Sequence, residues 1–230
     1  MFARSAALGV ALAVVLVAAV PPAVAGAAGP RVRAMVVSRA GNVVAGVRQV
    51  RLDAFRYRRC RIPSGVPLGA LHFLRMSYRA RGECDSLYVY QVRGERERGT
   101  GGWVYKVGTR AGTASAVDPS GPFGNGRIRS GAEVVWFWCR EANRCQRSLR
   151  IHGERRVRPG GRLRMRIRGY DDYGRSRVIR GAVVSVAGRR VRTNRRGLAY
   201  VRMPRRRGLY RMRASKRGLV PAFPVGIRVR

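Results

Sequence analysis

In three stretches after residue 161 the chain repeats a two-residue rhythm. Leu163, Met165 and Ile167 stand between Arg162, Arg164, Arg166 and Arg168, and Tyr210, Met212 and Ala214 are separated by Arg211 and Arg213. Phe223, Val225, Ile227 and Val229 carry the period to the end. Successive side chains of an extended chain point to opposite faces, so this pattern puts the apolar residues on one face and the arginines on the other. It predicts half-buried strands with one wet face. Turn pairs at Tyr173-Gly174, Ala187-Gly188, Thr193-Asn194 and Arg207-Gly208 cut the segment into short strands, the layout of a small β-sandwich. The arginines then read as a solvated sheet face in preference to a nucleic-acid groove.

The same arginines dominate the charge. The chain has 49 basic and 11 acidic residues in 230, a net charge of +38, and only Lys106 and Lys216 are lysine. Such a charge resembles a nucleic-acid footprint. However, arginine combined with abundant Ala, Gly and Val is also what GC-rich coding DNA produces, so part of the charge is compositional background.

The start of the chain reads as a signal peptide spanning residues 1–25. Arg4 precedes the uncharged run Ala6 to Val20, and Ala23-Val24-Ala25 fits small-residue cleavage. That run of about 15 residues falls short of the roughly 20 needed to cross a bilayer. No second apolar span follows. The expected mature chain is therefore secreted, extracellular or attached to the cell envelope. Its acidic neighbours there are cell-wall polymers, anionic lipid headgroups and polysaccharide, with another envelope protein as a further candidate partner. Nucleic acid is not an expected one.

Four cysteines in an exported chain favour two disulfides over a metal site, and the paired Cys-x-x-Cys spacing of zinc sites is absent. Cys139 and Cys145 flank Arg-Glu-Ala-Asn-Arg, read as a hairpin tip, and are expected to pair, leaving Cys60 with Cys84. Composition shifts near residue 153. Residues 26–153 carry 23 basic and 8 acidic side chains, with every cysteine and tryptophan, whereas residues 154–230 carry 25 basic and 3 acidic. With Arg158-Pro159-Gly160-Gly161 close by, this suggests domains at 26–153 and 154–230.

In the first part, Val32 to Ser38 and Val47 to Tyr57 read as strands, with a turn at Gly41-Asn42 between them. Ser64-Gly65-Val66-Pro67 offers a helix start, and Leu68, Leu71 and Leu74 mark one amphipathic helix of about ten residues. Leu87 to Val92, Trp103 to Gly108, Glu133 to Cys139 and Gln146 to Ile151 read as further strands. Strand, strand, helix, then several strands is a β-grasp order. Trp103 and Tyr105 share one face of their strand, as do Trp136 and Trp138. If those strands pair, four aromatic rings form either one ligand surface or the core of the domain. The loop from Thr109 to Ser130 is long for a connection, and its Asp118 and Phe123 are further candidate ligand contacts.

The residues Gly102-Trp103-Val104-Tyr105-Lys106-Val107, the Gly-rich loop with Asp118-Pro119-Ser120-Gly121-Pro122-Phe123-Gly124, and Ile128 to Val134 followed by Trp136-Phe137-Trp138 resemble the transcobalamin-like C-terminal domain. That β-grasp unit has relatives among secreted actinobacterial proteins. The resemblance covers about residues 34 to 151 and implies a ligand-covering module. In its vitamin-binding relatives such a module caps a corrin held by a helical partner domain, which this chain does not carry, so no cofactor is implied. The stretch Gly181 to Pro204 followed by Gly208-Leu209-Tyr210 is similar to bacterial immunoglobulin-like and carboxypeptidase regulatory-like modules, which implies a spacer or adhesive unit. The expected fold is mainly β: a β-grasp-like α+β domain with one helix, then a small immunoglobulin-like β-sandwich.

Catalytic patterns are missing. His72 and His152 are the only histidines, and no Gly-x-Ser-x-Gly, His-Glu-x-x-His or phosphate loop occurs. Asp171-Asp172 reads as a polar turn in preference to an acid pair or calcium ligand. The expectation is a non-catalytic binding or surface-associated protein; the alternative is a cationic envelope protein retained by charge on polyanions. N-terminal sequencing of the exported protein should begin at about Gly26, and a mature chain still starting at Met1 would refute cleavage there.

Overall fold

A computed structural model describes residues 28–112, 114–118, 120–141 and 144–230, so the expected signal peptide lies outside the described residues. The chain is mainly β, with one α-helix among these residues. Strand β1 (Arg31–Val37) turns at Gly41, which takes a φ of +85°, and returns as antiparallel β2 (Val43–Arg51). A hairpin of β3 (Phe55–Tyr57) and β4 (Cys60–Ile62) precedes the helix α1 (Pro67–Phe73). Next come β5 (Tyr78–Arg81), β6 (Tyr88–Val92) and β7 (Glu95–Arg96), a small antiparallel sheet, then β8 (Gly102–Val107), β9 (Arg110–Ala111) and β10 (Glu133–Cys139).

Strand β10 organises this half. It lies parallel to β1 and antiparallel to β8, giving the sheet order β2-β1-β10-β8-β9. Its even-numbered residues Val134, Trp136 and Trp138 join a core with α1 and the small sheet. Its odd-numbered residues Val135, Phe137 and Cys139 are buried on the opposite face, against Val220 and Phe223. A central strand covered on both faces has no wet positions to alternate with, which is why it reads as an almost unbroken apolar run.

The helix is shorter than its leucine spacing predicts, seven residues against about ten. Arg75 adopts a left-handed φ of 57°, and its N–H donates to His72 O while Met76 N–H donates to Leu71 O. This paired closure is a Schellman stop, with arginine in the place usually held by glycine.

The second half has two sheets. Strands β11 (Ser148–Gly153), β12 (Arg156–Val157), β13 (Arg162–Tyr170), β14 (Ser176–Val178), β15 (Val183–Val186), β16 (Arg189–Arg192), β17 (Leu198–Arg202), β18 (Gly208–Ser215) and β19 (Val225–Val229) follow in order. One sheet runs β11-β13-β14 with β17 on β13, and the other runs β12-β19-β18-β15-β16. Leu163, Met165 and Ile167 from the first meet Val184, Met212, Ala214 and Ile227 from the second in one core. The expected alternation is present: Arg162, Arg164 and Arg166 are exposed beside buried Leu163, Met165 and Ile167, and Arg211 and Arg213 are exposed beside buried Met212 and Ala214. The turn at Ala187-Gly188 joins β15 to β16 with both φ values positive, 49° and 76°, the two-residue type that matches strand twist.

Two expectations change around residues 139 to 153. Both disulfides form as expected, Cys60 with Cys84 and Cys139 with Cys145. The second, however, does not close a hairpin, because β10 and β11 belong to different sheets. Strand β11, read from composition as part of the first unit, pairs with β13 along its whole length and sends Leu149 and Ile151 into the second core. The shift in charge at 153 therefore lies beyond the change in strand pairing, which falls between Cys139 and Ser148.

Polar groups also join the halves. Lys106, on the face of β8 opposite its aromatics, is completely buried; its Nζ lies 3.2 Å from Asp172 Oδ1, donates to Tyr170 O and sits over the Phe137 ring. Glu133 at the start of β10 pairs with Arg33 at 2.8 Å and with Arg150 of β11 at 2.9 Å. Burial holds the Lys106 ammonium below its ordinary value, against the opposing pull of Asp172. Replacing Asp172 by Ala leaves that ammonium buried and unpaired, a loss of about 3–5 kcal/mol at neutral pH. The neutral amine is favoured in the folded state, so stability rises with pH from the lowered pKa up to the ordinary 10.5. Urea unfolding should accordingly show the Asp172→Ala deficit narrowing as pH climbs towards 10.5; a deficit independent of pH would exclude Lys106 as its source.

Candidate functional site

Pairing of β8 with β10 sets Tyr105 opposite Trp136 and Trp103 opposite Trp138, so the four rings do share one face. Ring centroids are 5.3 Å apart in the first pair and 5.8 Å in the second, the latter edge to face. That face is the core. Trp103, Trp136 and Trp138 are each 2% exposed and Tyr105 is 5% exposed. The expected aromatic ligand surface is thus corrected in favour of the core alternative. With a seven-residue helix and short strands to cover the sheet, these rings supply much of the volume between the layers.

Three of their four polar handles are also taken. Trp103 Nε1 donates to Glu95 O at 2.8 Å, Trp136 Nε1 to Pro67 O at 2.9 Å, and the Tyr105 hydroxyl to Ala114 O at 2.9 Å. Burial pushes the Tyr105 phenol well above its ordinary range. Edges of Trp103, Tyr105 and Trp136 reach a small cavity of about 340 Å3 beneath Ala114 to Ala116. Gly112 lies hard against it, since a Cβ there would fall 1.9 Å from Tyr105 Cζ.

The two loop candidates are engaged in holding the loop. Asp118 Oδ1 accepts from Ser120 N–H at 2.8 Å and from Ser120 Oγ, closing a local turn. Gly121 is required beside it: φ is +74°, and a Cβ would strike Gly126 O. Phe123 is half-buried under the Arg110 guanidinium, 5.0 Å from its ring centroid, with a left-handed φ of 66° that is rare for a bulky residue. The structure therefore brings Trp103, Tyr105, Trp136 and Trp138 together, and leaves Asp118 and Phe123 in local contacts of their own.

The other chemical candidates are similarly committed. His72 stacks on Phe55 at 4.0 Å, and His152 Nε2 meets the Tyr170 hydroxyl at 3.0 Å; burial lowers both imidazole pKa values. Asp171 Oδ1 accepts from the N–H groups of Tyr173 and Arg175, and its Oδ2 pairs with Arg147 at 3.3 Å. Asp172 Oδ2 accepts from Cys145 N–H. Asp171-Asp172 is thus a polar turn that doubles as a joint.

What sequence reading treated as background is the exposed chemistry. On β13, Arg164 and Arg166 point out from one sheet, and on β18, Arg211 and Arg213 point out from the other. None of these four makes an ion pair or side-chain hydrogen bond among the described residues. The signal was already present in the strand period, which assigns each arginine to the wet face.

If the rings are core, Trp136→Ala should cost about 3–5 kcal/mol of unfolding free energy. Gly112→Ala, which forces the Tyr105 ring aside, should cost about 1–3 kcal/mol. Chemical denaturation measures both, and a Trp136→Ala protein as stable as the parent would return the ring to the list of ligand contacts. No family model matches the chain, and no curated protein or solved structure matches it either.

Proposed function

We propose that this is an exported, non-catalytic protein of the cell envelope, held on anionic polymers by the arginines of its outer sheet faces. The observation that carries this reading is the division of labour between side chains: the aromatic rings and most of their polar handles are used internally, while Arg164, Arg166, Arg211 and Arg213 stand outward and unpaired on the sheet faces. Guanidinium suits the role, because it stays charged at all ordinary pH and presents a planar fork to carboxylate or phosphate. Two disulfides support an oxidising compartment, and no helix among the described residues is long and apolar enough to cross a membrane.

The strand order β2-β1-β10-β8 with a parallel central pair and a helix on one face supports a β-grasp unit in the first half. The two packed sheets of the second half support an immunoglobulin-like unit. On this reading both serve as scaffolds that display charge, and the candidate partners are wall polymers and acidic polysaccharide.

Cell fractionation tests it. The protein should remain with the envelope at low ionic strength and leave by about 0.5 M NaCl, where the Debye length has contracted to about 4 Å. Retention should stay flat between about pH 5 and 9, since arginine does not titrate there. Retention that persists in 1 M salt would overturn the proposal.

A further inference from the structure

Beyond general retention, the structure contains a concave place where four of the unpaired arginines, Arg155, Arg190, Arg211 and Arg213, converge. Strand β2 and the outer face of the β12-β19-β18-β15-β16 sheet form the two walls of a groove. One end is a cleft of about 610 Å3, with Val43, Gly46 and Val47 on one wall and Arg190, Arg211 and Arg213 on the other. The other end is a cleft of about 590 Å3, where Arg155 and Leu209 join. The two share Val47, Arg211 and Pro224, so they adjoin along the same groove. No carboxylate lines either part.

The arrangement is regular because strands impose it. Arg211 and Arg213 are two residues apart on β18, hence about 7 Å along the strand. Arg213 pairs across to Ser185, and Ser185 to Arg190, so two arginines flank a small hydroxyl residue about 10 Å apart across three strands. Arg155, Arg190, Arg211 and Arg213 make no ion pair or side-chain hydrogen bond among the described residues. Exposed apolar residues stand beside them: Val43 on the facing wall is 44% exposed, and Leu209, two residues before Arg211 on β18, is 71% exposed. Exposed leucine beside unpaired guanidinium is poor for solvation and good for a ligand with both characters. A sugar acid has both, an apolar C–H ring face and a carboxylate on its edge. A polyphosphate has only charge.

We propose that this groove is a binding site for a linear acidic polysaccharide, with uronate carboxylates on Arg190, Arg211 and Arg213 and ring faces against Val43, Val47 and Leu209. The inference rests on the polyanion reading above and narrows it to one place and one ligand class.

The second half supplies its own control. Arg164 and Arg166 on β13 have the same two-residue spacing and exposure, but stand on the outer face of the other sheet. Gly46 offers an uncharged probe, because its Cβ position has nothing within 4 Å and a larger side chain would occupy the groove. The full disulfide-bonded chain is titrated with oligogalacturonate and, separately, with inorganic polyphosphate of matched charge, with thermal melts confirming that each variant is folded. Arg211→Glu/Arg213→Glu should weaken oligogalacturonate binding at least about tenfold, and the matched Arg164→Glu/Arg166→Glu pair less than about threefold. Gly46→Phe should weaken it about tenfold without any change of charge. Equal losses in the two double variants would overturn the groove and leave retention by charge standing. Parent protein that binds neither polymer would overturn both. Polyphosphate bound as tightly and with the same groove dependence would overturn the sugar ligand.

Discussion

Burial of strand β10 on both faces is the constraint from which most of this structure follows. A strand flanked by β1 and β8 spends its backbone hydrogen bonds within the sheet, and its side chains then require apolar cover above and below. One cover is local, from α1 and the small β5-β6-β7 sheet against Val134, Trp136 and Trp138. The other has to come from elsewhere in the chain. Val220 and Phe223, between β18 and β19, provide it by packing on Val135, Phe137 and Cys139. The two halves are thus coupled because a strand of the first is incompletely covered by its own half.

That coupling explains where the polar groups sit. A lysine on the covered face of β8 has no route to water, so Lys106 needs an anion from the opposing half, and Asp172 supplies it. Such buried pairs gain little net energy over apolar packing, but they penalise any docking that separates the partners. The Glu133 contacts to Arg33 and Arg150 act in the same sense at the rim, where solvent weakens them.

Strands and turns with strong local patterns were legible in the sequence. Glu133–Cys139 has the predicted limits, and the alternation of β13, β18 and β19 follows the arginine rhythm. What escaped was decided by contacts distant in sequence. The helix stop at Arg75 uses a left-handed arginine that no local pattern marks. The membership of β11 depends on pairing with β13, while its composition resembles what precedes it. The fate of the four rings turned on whether a face was covered, and strand periodicity specifies which residues share a face but not what lies over it. The groove was invisible for the same reason, since Val47 and Arg211 are far apart in sequence and become neighbours only when the halves dock.

The period of two has a consequence for how such a surface can change. Because each arginine of β13 and β18 alternates with the residue that holds the sheet in place, charge and packing are written on separate positions. Substitutions at one set leave the volume of the core untouched, and substitutions at the other leave the field outside nearly as it was. A lineage could therefore drift from one polyanion to another, or shed its charge altogether, through single steps that never threaten the fold. The scaffold is, in this sense, a keyboard whose keys can be replaced one at a time.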